Sequence, residues 1–72
     1  MLNVRYFVHI ASGGRVFRDE AGRNFSAVDD VLVHAAAVAR ELADDAGWEG
    51  FSVVVLDESG NQIVRLPIGQ GA

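Results

Sequence analysis

Residues 25–56, FSAVDDVLVHAAAVARELADDAGWEGFSVVVL, decide the fold, because they hold one strong helical period followed at once by one strong strand. Val28, Val31, Leu32, Ala35, Val38, Ala39, Leu42 and Ala46 recur at three- and four-residue steps and so form a single apolar stripe. Asp30, His34, Ala37, Arg40, Glu41, Asp44 and Asp45 fall opposite it. Ser26 with Asp29 three residues on is a carboxylate variant of a capping box, and Asp29 and Asp30 suit the positive end of the helix dipole. Gly47 is a natural stop, so the helix is expected over 27–46. Phe51 to Leu56 is then nearly continuous apolar sequence rich in β-branched residues, which marks a central strand over 51–56.

Working outward, Asn3 to Ile10 alternates, with Val4, Tyr6, Val8 and Ile10 on one face and Arg5, Phe7 and His9 on the other, giving a strand over 3–10. Ser12-Gly13-Gly14 supplies a tight turn, and 15–18, centred on Val16 and Phe17, returns as the second arm of a hairpin. Asp57 to Asn61 is a second hairpin turn, leading into a strand over 62–66 that Pro67 ends. Asp19-Glu20-Ala21-Gly22 echoes Asp57-Glu58-Ser59-Gly60. In both, the Asp side chain is expected to accept nearby amides while glycine takes the left-handed position. The tail over 69–72 is expected to fray. The expectation is one α+β domain over 1–72, ordered ββαββ. Its four-stranded antiparallel sheet has spatial order 2-1-3-4, with one helix packed on one face.

Seventy-two residues bury a thin core, and half of them are apolar, a balance that fits a globular fold rather than disorder. With no cysteine there is no disulfide scaffold, thiolate metal site or thiol nucleophile. Ten acidic against six basic residues disfavour a nucleic-acid or anionic-membrane partner. Tyr6 to Ile10 is too short and interrupted for a signal peptide or membrane span, so the expected location is the cytoplasm.

One helix covers one face of such a sheet, yet Phe51, Val53 and Val55 alternate with Val54 and Leu56, Phe7 lies opposite Tyr6 and Val8, and Ile63 is set against Val64 and Leu66, so both faces carry apolar groups. The uncovered side is therefore an expected self-association surface, and a homodimer through the sheet face or its edge strands is expected. The opposing possibility is that Arg5 and Arg65 lie over that face with their alkyl stems.

Motifs with chemical content are sparse. Asp30 and His34 stand one helical turn apart, but two ligands on an exposed face make no metal site. The Asp57-x-Ser59-x-Asn61 run opens like a calcium loop and fails where specificity lies, with Gln62 in place of glycine and Ile68 in place of glutamate. The Ser12-Gly13-Gly14-Arg15 turn joins two strands instead of feeding a helix, which disfavours a phosphate cradle. No metal, cofactor or catalytic cluster is expected. Tyr6, Phe7 and Phe17 near arginines 5, 15 and 18 would suit a nucleic-acid platform, against which the acidic total weighs. Trp48 is either a lid over the core edge or an exposed partner anchor.

Taken together, Arg5-Tyr6-Phe7-Val8-His9, the Gly13-Gly14 turn, the two Asp-Glu-x-Gly turns and the alanine-rich helix resemble a family of small bacterial proteins catalogued only as a domain of unknown function. The resemblance spans nearly the whole chain and implies the same ββαββ arrangement; it carries no activity, ligand or catalytic residue. The expected role is a non-enzymatic protein-interaction or regulatory module acting as a small homodimer, with Trp48, Val33 and Phe7 as partner-contact residues. The alternative is a small-ligand or enzyme subunit with His9 at a dimer seam. The third reading is a weak nucleic-acid binder through the arginine and aromatic sheet face.

Overall fold

The computed structural model describes residues 3–69. Strand β1 (Val4–Ala11) is followed by β2 (Val16–Phe17), β3 (Arg23–Phe25), helix α1 (Val28–Ala43), β4 (Ser52–Leu56) and β5 (Gln62–Pro67). The sheet is antiparallel throughout: β2-β1-β4-β5 form its main path, and β3 also pairs with β1. The described residues thus form an α+β fold with one helix and five strands.

The expected four-stranded ββαββ arrangement is corrected to βββαββ. Ile10 and Ala11 face Phe17 and Val16, whereas Val4, Arg5 and Tyr6 face Phe25, Asn24 and Arg23. The second arm of the first hairpin is therefore split in two. The part expected over 15–18 shrinks to Val16–Phe17, and pairing resumes after the Asp19–Gly22 loop. Arg23-Asn24-Phe25 has too few residues to show a two-residue period, so only its pairing with β1 reveals it.

The helix is shorter than expected at both ends. Ser26 does not cap it: Ala27 is the N-cap, with no side-chain bond to the helix amides, and the Ser26 hydroxyl donates to Asp30 Oδ2 at 3.3 Å instead. At the other end the Asp44 and Asp45 amides donate to the carbonyls of Glu41 and Leu42, a tighter three-residue step that closes the helix before Gly47. Pro67 lies inside β5 rather than ending it at 66, and Ile68 is buried, its amide bonded to the Phe51 carbonyl at 2.9 Å. Of the tail expected to fray, residues 70–72 lie outside the described residues.

The core lies between α1 and one sheet face. Val31 and Ala35 of the helix meet Tyr6, Val53, Val55 and Ile68, and Val8, Ile10, Val38, Leu42, Val64 and Leu66 extend the cluster. Val31, Val53 and Val55 are fully buried, each stabilising the fold by about 1.5–2 kcal/mol of apolar burial. On the opposite face Val54 sits between His9 and Arg65 in register, and it is only 6% exposed without any helix above it.

Candidate functional site

The three residues expected to contact a partner lie on three different surfaces. Val33 stands on the outer side of α1 and is 70% exposed. Phe7 belongs to the uncovered sheet face but is half-buried there. A methyl group on Gly22 would stand 2.8 Å from its ring and 2.9 Å from Arg5 Cγ, so the β2–β3 loop crosses directly over it. Trp48 is half-buried at the end of the helix layer, edge-on to Phe17 at 5.8 Å and to Phe51 at 5.3 Å between ring centroids. Of the three, Trp48 alone joins a wider aromatic group.

That group is partly exposed. Phe17 is 43% exposed and Val16 51%, and both belong to an edge strand of the sheet. Phe17 packs at 6.0 Å from Phe51, and the Arg15 guanidinium lies 5.2 Å from its ring centroid. Because β2 pairs only with β1, its outward-facing backbone groups, those of Val16, are unpaired within the sheet. Glu49 lies beside Trp48 and accepts the Gly47 amide at 3.1 Å. Phe17, Trp48 and Phe51 thus form one aromatic group at this end of the sheet, with the Arg15 guanidinium over the Phe17 ring. The sequence pointed to Trp48 as a partner contact and to Phe17 only as part of a nucleic-acid platform; that the two pack together was not legible, since the contact joins residues 31 positions apart.

His9 is engaged with the β2–β3 loop. Its Nδ1 accepts the Asp19 amide at 3.0 Å, while Asp19 Oδ2 accepts the Val8 amide at 3.1 Å and Oδ1 accepts that of Gly22 at 3.0 Å. Alternate residues of an antiparallel strand point their backbone groups toward the same neighbour. The Val8 amide therefore faces the gap between β2 and β3. The Asp19 carboxylate fills that gap as a carbonyl would, and His9 holds the loop from its other side. The histidine is thereby a fastener of the β2–β3 loop.

The remaining motifs resolve into structure. Asp57 Oδ1 accepts the amides of Ser59 and Asn61, both at 2.9 Å, and these bonds, that of Asn61 foremost, lower its pKa below the usual 3.8. His34 packs its ring 5.7 Å from that of Phe25. Among the described residues no three His, Cys, Asp or Glu side chains are grouped to hold a metal ion, and no helix is long and apolar enough to cross a membrane. Tyr6 is buried against the helix, Phe7 lies beneath Gly22 and Phe17 at the molecule's end, so the aromatics of the supposed nucleic-acid platform do not share one surface.

In comparisons with known proteins, the family described as a domain of unknown function, DUF6894, matches residues 5–69. Comparison with curated proteins and with solved structures gave no match.

Proposed function

We propose that this chain, which belongs to the DUF6894 family, is a non-enzymatic protein-interaction module whose working form is a small homodimer joined through its aromatic end. The observation that carries the reading is the exposed Phe17, packed against Trp48 on an open sheet edge, with the exposed Val16 before it in the same strand. A second copy suits this surface because a two-fold axis brings a patch against itself. Two β2 strands related by such an axis run antiparallel, so the free backbone groups of Val16 find partners in the other copy. The opposite edge suits pairing less well: Pro67 has no donor, and the ladder between β4 and β5 is irregular at Val55 and Leu56.

Sedimentation equilibrium across a wide concentration range tests the proposal, with Phe17→Asp as the variant. The wild-type chain is expected to sediment at twice its own mass. The variant is expected to raise the dimer dissociation constant about thirtyfold or more, corresponding to the ~2 kcal/mol that defines a hot spot. Phe17 is partly in water already, so circular dichroism of the variant is expected to remain that of the folded chain. A monomer at every concentration, or a variant that still dimerises as well, overturns the reading.

A further inference from the structure

We infer that the β2–β3 loop is a proton-released cover: it is latched over the sheet face turned away from α1 while His9 is neutral, and it opens when His9 takes up a proton. The donors and acceptors of the latch carry the argument. A backbone amide only donates, so the His9 Nδ1 that receives the Asp19 amide at 3.0 Å holds a lone pair, and the ring is neutral with its proton on Nε2. Protonation fills that lone pair. An imidazolium left in place sets one N–H against another. One that turns toward the Asp19 carboxylate abandons the Asp19 amide all the same, because a charged ring has no acceptor left.

The other fastenings of the loop are the Asp19 carboxylate on the amides of Val8 and Gly22, and the Arg5 guanidinium, which donates to the Ala21 carbonyl. Histidine is the side-chain type among these whose charge ordinarily changes between about pH 8 and 5. His9, Asp19 and Gly22 are half-buried, so water does not freely replace the bonds between them. The charged groups facing His9 are Arg5 on its own strand, Arg65 in register beyond Val54, and Arg18, Asp19 and Glu20 of the loop. By register Arg23 of β3 stands with Tyr6 on the helix side, and α1 packs on that side as well. Three cations against two carboxylates leave no surplus of negative charge to hold a further cation under the closed loop. Gly22 stands over the Phe7 ring, so release of the loop uncovers Phe7 and frees the Val8 amide. The device lies within one chain and does not rest on the dimer.

Nuclear magnetic resonance of the full chain between pH 8 and 5 tests it. Ring nitrogen shifts at pH 8 are expected to show His9 Nδ1 without a proton. Hydrogen-exchange protection, each rate divided by that of an unfolded chain at the same pH, is expected to fall about five- to tenfold at Asp19 and Gly22 on acidification, the equilibrium equivalent of one hydrogen bond. The fall is expected to follow the titration of the His9 ring, while the buried Val53 and Val55 of β4 keep their protection. His9→Asn, whose side-chain oxygen accepts a bond and does not titrate, is expected to keep the loop protected at both pH values. His34→Gln, which removes the other histidine, is expected to leave the response intact. A neutral His9 protonated on Nδ1, protection independent of pH, or the same response in His9→Asn overturns the inference. So does a response lost in His34→Gln, a fall at Asp19 with Gly22 unchanged, or a parallel loss at Val53 and Val55, which is unfolding of the whole chain.

Discussion

Gly22 shows how one residue ties a loop to a sheet. Its φ is +72°, a region costly for side chains, and an added methyl group would also press on Phe7 and Arg5 at under 3 Å. Gly60 has a similar φ of +87° with nothing within 4 Å. Gly22→Ala is therefore expected to cost about 2–3 kcal/mol, backbone strain plus overpacking, and Gly60→Ala about 1 kcal/mol. Urea denaturation of the two variants checks this, and equal losses would mean that the loop does not press on Phe7. Asp57 provides the pH-dependent counterpart. Its folded pKa lies below the ordinary 3.8, so its stabilising contribution is present in full above that value and is lost as pH falls through the folded pKa. Asp57→Asn is expected to be less stable than wild type at neutral pH, the gap closing on acidification below 3.8. Denaturation midpoints measured against pH check it, and a gap constant with pH would show that the carboxylate's charge is not what the turn uses.

Within α1, position decides what a valine contributes. Val31 is fully buried against the sheet while Val33, two residues on, is 70% exposed. Val31→Ala is expected to destabilise by about 2 kcal/mol through lost burial and a residual cavity. Val33→Ala is expected to be neutral or stabilising by up to about 0.5 kcal/mol, because alanine is the better helix former. Guanidinium unfolding with an unchanged slope is the check. At the sheet, the broken arm of β2 and β3 is a different device. The loop takes the place of one ladder step, and Asp19 replaces the missing carbonyl opposite Val8. Such a break also interrupts what would otherwise be a long exposed edge, leaving the short β2 segment with its two apolar residues as the part open to pairing.

For the whole molecule, the thin core sets the terms. A chain of this size buries a smaller share of its surface than a larger domain, so a second copy adds stability by mass action. If the aromatic end is the dimer seam, the thermal midpoint of the wild-type chain is expected to rise with protein concentration. That of Phe17→Asp is expected to stay constant. Scanning calorimetry at several concentrations measures this, and a midpoint independent of concentration for wild type contradicts the dimer.

The sequence by itself determined the α+β class, the helix and the middle of its apolar stripe from Val31 to Leu42, the central apolar strand and both Asp-Glu-x-Gly turns; Val28 is exposed and Ala46 lies beyond the helix. Those features rest on local periodicity and local hydrogen bonding, which a run of residues displays without its neighbours. Only the tertiary structure decided that Arg23–Phe25 is a strand, that Phe7 is covered by Gly22, that Val54 is shielded without a helix above it, and that Phe17 joins Trp48. Each of these depends on a contact between residues far apart in the chain, where the partner fixes the role and the segment alone carries no period to announce it. The uncovered face shows the limit most clearly. Its apolar pattern was legible in β1 and β4, but its exposure was not, because the β2–β3 loop and the residues flanking Val54 cover it only once the chain is folded.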